Sequence, residues 1–264
     1  MATWEDQTGR SLELSQPPRR IVSTVPSQTE LLYDLGLEAE VVGITAYCEA
    51  PPHWLESKTV IGGTKNLQIE KIRALEPDLI IGNKEENIKE QIEALAAETP
   101  VWLSDVRSVD HALEMIASIG TLTGRQQQAE TLQQSIAGER AKIRPLPDLR
   151  AAFLIWKDPL MMAGPDTFIG QVMQEAGWHN AAPEEGGRYP QTDLSALQSM
   201  NLDLLLLSSE PYAFTSADLH QLSAAARHSR VVDAQLFSWY GSRMQYLFPY
   251  LGRLQEQLRL VFSR

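Results

Sequence analysis

Hydrophobic and polar positions along this chain form one pattern that occurs twice. Residues 66–82 (NLQIEKIRALEPDLIIG) and 194–208 (LSALQSMNLDLLLLS) each read as a short amphipathic helix, an x-x-Asp-Leu turn and a wholly apolar strand. A second matched pair lies upstream. Arg20–Pro26 (RIVSTVP) leads into a helix over Glu30–Leu35, and Arg150–Trp156 (RAAFLIW) leads through a loop to a helix over Phe168–Ala176. Further short strands are expected at 40–44, 79–81 and 101–103, with helices at 88–97 and 109–120. Ser27 stands three residues before Glu30, which predicts a capping box opening the first helix, and Gly36 closes it. Residues 3–15 read as a small hairpin turning near Gly9. Tyr47–Trp54, with Pro51 and Pro52, reads as a loop.

Strands alternating with helices predict parallel sheets built of βαβ units. The fold class expected is therefore α/β, with two similar lobes, each a parallel sheet flanked by helices. Between the lobes the pattern changes. Residues 125–143 (RQQQAETLQQSIAGERAKI) are rich in Gln, Glu, Ala and Leu and contain no proline, which predicts one continuous helix ended by Pro145 and Pro147. The organisation expected is an N-terminal α/β lobe over 1–118, a linking backbone helix within 119–148, and a C-terminal α/β lobe over 149–264 that finishes in an amphipathic helix, Met244–Leu260. Two lobes joined once imply a ligand cleft between them. A stiff connecting helix implies only modest closure.

Charge narrows the partners. The 264 residues carry 34 acidic and 23 basic side chains, a formal net charge of −11. Residues 1–118 hold 20 acidic and 10 basic side chains, so nearly all of the excess lies in the N-terminal half. That balance argues against nucleic acid and against anionic membrane surfaces. It suits a solvated acidic face or a docking face for a basic partner. No run reaches the roughly 18 apolar residues of a membrane span. Cys48 is the only cysteine, so no intramolecular disulfide forms. The first residues, MATWEDQTGRSLEL, lack a basic segment followed by an apolar one. The expectation is a cytoplasmic location if the chain is complete as given, and a periplasmic or cell-envelope one if a leader has been removed.

The order of RIVSTVPSQTELLYDLG, VVGITAYCEAPP, NLQIEKIRALEPDLIIG, a rod helix and AGPDTFIGQVMQEAGW resembles the helical-backbone substrate-binding proteins of ABC importers. These carry cobalamin, iron–siderophore complexes or haem, and the resemblance is closest to the cobalamin binders. It covers about residues 20–260. It implies that Tyr47 lies in the loop that sets a tyrosine against the corrin, and that Tyr189 (in RYPQ) stands where cobalamin binders place a tryptophan. Asn83 stands where they have another tryptophan, and Met161 where they tend to have phenylalanine. The resemblance also implies an ABC permease as partner, met through one glutamate per lobe. Lys89 aligns at that place in the N-lobe, with Glu85, Glu86 and Glu90 beside it as the docking candidates.

The residues themselves supply the other candidates. Tyr47, Trp156, Tyr189, Trp239 and Tyr240 lie at strand ends or in loops, where large rigid aromatics can lie flat against a macrocycle. Trp4, Trp102 and Trp178 are assigned to packing. Lys65, Arg188 and Arg243, in GGTKN, GGRYP and YGSRM, would suit carboxylates or phosphates on a ligand, although Arg243 can equally brace the fold. His53, His111, His179, His220 and His228 show no metal-binding spacing, so no protein-held metal is expected, with His53 the one candidate for an axial ligand at the cleft mouth. No phosphate-binding Gly-rich motif and no nucleophile elbow is present. The function expected is binding of a large metal chelate without catalysis and without a catalytic cofactor, most simply cobalamin, by a monomer that delivers it to an ABC importer. A ferric siderophore or haem is the alternative ligand. A cytosolic enzyme or accessory protein on the same scaffold is the alternative class.

Overall fold

The computed structural model describes residues 2–146 and 148–262. Pro147, read above as one of two helix stops, lies outside them. The chain divides into two compact units. The first comprises the residues up to Val106, Asp110–Ser135 and Tyr240–Arg243. The second comprises Arg107–Val109, Ile136–Trp239 and the residues from Met244 onward.

The first unit opens with the hairpin β1 (Ala2–Glu5) and β2 (Ser11–Leu14). Its main strands are β3 (Ile21–Ser23), β4 (Val41–Ile44) and β5 (Thr59–Val60). A small antiparallel ribbon follows, β6 (Gly62–Gly63) with β7 (Asn66–Leu67), and then β8 (Leu79–Asn83) and β9 (Val101–Ser104). The five-stranded sheet has the order β5-β4-β3-β8-β9 and is parallel throughout. Every residue of β8 and β9 is buried, as a parallel strand covered on both faces requires. The covering helices are α1 (Pro26–Asp34), the short α2 (Trp54–Ser57), α3 (Ile69–Ala74) and α4 (Lys89–Ala96). Then come α5 (Val109–Leu122) and α6 (Gln126–Arg140), separated by Gly124 at φ +71°.

In the second unit the strands are β10 (Leu149–Trp156), β11 (Leu160–Met162), β12 (Trp178–Asn180), β13 (Gln191–Thr192), β14 (Leu202–Ser208) and β15 (Ala226–Val232). Strands β12, β10, β14 and β15 run parallel, whereas β11 pairs antiparallel with β10 and β13 antiparallel with β11, so this sheet is mixed. Its helices are α7 (Phe168–Glu175), α8 (Leu194–Ser199), α9 (Ser216–Leu222), α10 (Ala234–Ser238) and α11 (Met244–Phe262). Thr167, Asp193 and Thr215 cap α7, α8 and α9 with side-chain oxygens, and Thr215 with Asp218 forms a full capping box.

The repeat in the sequence is a repeat in hydrogen bonding. Helix α3 is capped at Leu75, and Glu76 takes φ +43°; helix α8 is capped at Met200, and Asn201 takes φ +52°. Each helix thus turns through one left-handed residue toward an aspartate that precedes the apolar strand or opens it. Asp78 accepts the backbone N–H of Arg20 at 2.8 Å, and Asp203 accepts that of Arg150 at 3.0 Å. The arginine in turn donates from Nε to the helix's last carbonyls, Arg20 to Leu75 O at 2.9 Å and Arg150 to Met200 O at 2.7 Å. The Asp of the x-x-Asp-Leu turn and the Arg opening the preceding strand therefore lock helix to sheet in the same way in both units, capping orphan carbonyls that the helix end leaves open.

The capping box expected at Ser27 and Glu30 does not form. Pro26 occupies the first turn of α1, its fixed φ pre-set for a helix start, and Val25 at the cap makes no side-chain bond. Glu30 is used elsewhere.

Candidate ligand-contacting residues

In the first unit, Tyr47 follows β4 and is 64% exposed, a large share for an aromatic ring. It is seated nonetheless: a Cβ added to Gly63 would lie 2.8 Å from Tyr47 Cε2. Glycine at 63 leaves room for the ring on the β6 backbone, and Gly62 takes φ +101° with its α-carbon against Asn66 O. Lys65, in the ribbon turn, donates from Nζ to the carbonyl of Glu85 at 2.6 Å. Asn83, at the end of β8, is buried and fully engaged. Its amide donates to Ser104 Oγ at 2.9 Å, and its Oδ1 accepts the N–H groups of Glu85 and Glu86 at 2.8 and 2.9 Å.

Three expected site residues of this unit turn inward. Tyr240 is 7% exposed, and its hydroxyl donates to Glu86 Oε1 at 3.1 Å. It is therefore a buried anchor and not an exposed ring at a strand end. Glu86 is half-buried by the same contact, so the expected trio of rim carboxylates reduces to the exposed Glu85 and Glu90. Burial pushes the Glu86 carboxyl above its ordinary pKa, with the Tyr240 hydrogen bond opposing and the Glu85 charge reinforcing the rise. Burial and the same carboxylate hold the Tyr240 hydroxyl well above the usual phenol range. Arg243 pairs with Glu30 through two bonds, Nε to Oε2 at 2.8 Å and Nη2 to Oε1 at 2.9 Å, and so braces the fold. Beside it, burial raises Asp34, with Ser242 and Arg243 drawing it back down.

In the second unit, Trp156 ends β10 and is 40% exposed. Its ring meets Tyr212 edge to face at 5.9 Å between centroids, and Tyr212 meets Phe214 at 4.8 Å. Trp239, after α10, donates from Nε1 to Glu210 Oε1 at 3.0 Å, and Gln235 Nε2 donates to the other carboxylate oxygen at 3.0 Å. The loop bearing Arg188 and Tyr189 is pinned on both sides. Gly164 N–H donates to Arg188 O at 2.8 Å, and Met162 N–H donates to Pro190 O at 3.0 Å. The Arg188 guanidinium donates to Asp166 O at 3.1 Å, and Tyr189 is half-buried. Trp156 closes β10, and the Tyr212 loop and Trp239 follow β14 and β15, as Tyr47 follows β4 in the first unit. Open α/β sheets place ligands at the carboxyl ends of strands.

Tyr212 and Glu210 were missed in the sequence. Both follow the apolar strand β14, as Asn83 closes β8, and that equivalence in the repeat was the available signal. Trp102 and Trp178 are buried, as assigned. His53 is exposed, with Nε2 3.2 Å from Glu38 Oε1 and its ring on Tyr33. Among the described residues no group of three or more His, Cys, Asp or Glu is arranged to hold a metal ion. The Cys48 thiol is buried, which raises its pKa, and it donates to Thr29 Oγ1 at 3.1 Å.

Residues 21–235 match the family described as periplasmic binding protein. This chain belongs to that family. It is 27% identical over 259 residues to an uncharacterized ABC transporter substrate-binding lipoprotein of Bacillus subtilis, covering 92% of this chain and 81% of the relative. It is 22% identical over 236 residues to a vitamin B12-binding protein of Pectobacterium carotovorum, covering 86% of this chain and 84% of the relative. The crystal structure of the periplasmic vitamin B12 binding protein of Vibrio cholerae shares the fold with a TM-score of 0.77 at 19% identity, over 91% of this chain and 98% of that one. The periplasmic binding protein fold is thus the one described above, with α/β units whose parallel strands are flanked by helices.

Proposed function

We propose that this periplasmic binding protein holds a corrinoid and delivers it to an ABC importer. The observation that carries the reading is the pair of exposed but rigidly seated aromatic rings. Tyr47 lies on the Gly63 backbone just after β4, and Trp156 lies against Tyr212 as the last residue of β10. Rings held in place lose little entropy on binding and offer flat apolar area to a macrocycle. Tyr189 and Trp239 supplement them, and Lys65 and Arg188 supply cationic character toward polar substituents of the ligand. Relatives named as vitamin B12-binding or cobalamin-binding support the corrinoid reading. A metal enclosed in its own macrocycle needs few ligands from the protein. The chain acts as a monomer, catalyses no reaction and works in the cell envelope. No helix among the described residues is long and apolar enough to cross a membrane.

The test is absorbance titration with cobalamin, a ferric siderophore and haem. Cobalamin is expected to saturate at one equivalent in the micromolar range or tighter. Tyr47→Ala and Trp156→Ala should each weaken it by about 1–3 kcal/mol, the usual loss for a buried aromatic anchor. Saturation by haem or the siderophore but not cobalamin would reassign the ligand, and unchanged affinity in both variants would remove the aromatic rings from the site.

Delivery is assigned to the exposed carboxylates Glu85 and Glu90. Charge-assisted pairs with basic residues of a permease would be salt-sensitive. The Glu85→Lys/Glu90→Lys double variant is expected to keep corrinoid affinity within about twofold, as rim charges away from a buried contact do, while uptake in cells supplied with the native permease is lost. Normal uptake would leave both as solvated surface.

A further inference from the structure

A cavity lies wholly within the first unit, on its hairpin side. It has a volume of 590 Å³, inside the roughly 300–1,000 Å³ range of small-molecule sites. Its apolar lining comes from Ile92 of α4 and Leu103 of β9, which are 3% and 7% exposed. Three cations enter it from three different elements: Arg10 from the hairpin, Lys84 from the end of β8 and Lys89 from the start of α4. Three cations against the one carboxylate of Glu93 make the lining locally positive in a chain of net charge −11. We infer that this cavity binds a small amphipathic anion, a carboxylate or phosphate head on a short aliphatic body.

The cations are available for such a head. Among the described residues the Arg10 guanidinium makes no ion pair. Lys84 Nζ sits 2.8 Å from Asp105 Oδ2 and Lys89 Nζ 3.6 Å from Glu93 Oε1, both lysines being more than half exposed. An ammonium carries three donors, so one carboxylate partner leaves others to spend. The wall is pre-wired. Asn87 Oδ1 accepts from Asn83 N–H at 2.8 Å and Thr24 Oγ1 at 2.9 Å, and its amide donates to Thr24 O and Thr64 O, so it holds its shape without a ligand. Glu93 is the built-in competitor: it occupies Lys89 and repels an incoming anion.

Octyl phosphate below its micelle concentration, titrated by calorimetry, tests this, with inorganic phosphate and octanol as the separated halves. Octyl phosphate is expected to saturate at one equivalent with a dissociation constant at or below about 100 μM, and each half alone should bind at least about tenfold more weakly. Arg10→Ala and Lys89→Ala should each weaken it about fivefold or more, whereas Glu93→Gln should tighten it about two- to threefold, because one attraction is lost and one repulsion removed. All three positions are exposed or partly exposed, so circular dichroism should show each variant folded. Absence of saturation, equal binding of octanol, or indifference to both cation deletions would overturn the assignment. Cobalamin titration of the same variants should be unchanged, which separates this site from the one proposed above.

Discussion

Replacing Arg243 by alanine is expected to destabilise the protein by about 3 kcal/mol, the low end for breaking a buried ion pair by removing one partner. The Arg243 and Glu30 side chains are 16% and 11% exposed and meet through two bonds, one to each carboxylate oxygen, so little water remains to replace the lost donors. The variant leaves the Glu30 carboxylate of α1 without its guanidinium and also removes the charge that draws down Asp34. The segment these bonds hold is short. Tyr240–Arg243 belongs to the first unit while its neighbours on both sides belong to the second. Gly241 has φ +105° and places its α-carbon where a Cβ would lie 3.5 Å from Ser27 O, so the backbone path is itself one that an L side chain rarely adopts. Urea unfolding should show a lower midpoint at unchanged slope. An Arg243→Met/Glu30→Met double variant should lose less than the single one, because no charge is stranded. A loss below about 1 kcal/mol in Arg243→Ala would place the pair among surface ion pairs of little weight.

The division between what the residues disclosed and what they hid follows sequence distance. The x-x-Asp-Leu turns were visible because each packs its information into a few positions: period 3.6, a turn, then an apolar run. The partners Arg20 and Arg150 were visible as strand openings, yet their bonds to Leu75 and Met200 were not, since those close over 55 and 50 residues. The linking helix was expected over 125–143 and runs Gln126–Arg140, set off from α5 at Gly124. Glu30 shows the opposite case. Its spacing from Ser27 satisfies a local rule, but Pro26 already starts the helix, and a guanidinium 213 positions away takes the carboxylate. A local signature was outbid by a pairing that no local pattern encodes. Tyr240 and Trp239 are adjacent and alike in composition, and only the fold distinguishes a buried phenol on Glu86 from an indole on Glu210.

Glu86 carries the second large effect. Glu86→Lys should cost about 3 kcal/mol, because it places a cation beside Lys65 and removes a carboxylate acceptor of the buried Tyr240 hydroxyl. Glu86→Gln should fold well, since its carbonyl oxygen can still accept from Tyr240, and it isolates the proton. Burial raises the Glu86 pKa in the folded protein above its ordinary value of 4.5. The folded state then binds a proton at pH values where the unfolded chain has released it. Stability from this group is complete below about pH 4.5 and declines as pH rises through the folded pKa. The groups facing it set the size of that decline: the Tyr240 hydroxyl and Lys65 favour the carboxylate, whereas burial and Glu85 disfavour it. Unfolding midpoints measured from about pH 4.5 to about pH 8 should therefore fall further with rising pH in the natural protein than in Glu86→Gln. The two curves should converge at the acid end and separate toward neutrality. Parallel curves would mean that Glu86 is ionised throughout, and a well-tolerated Glu86→Lys would return it to the solvated rim with Glu85 and Glu90.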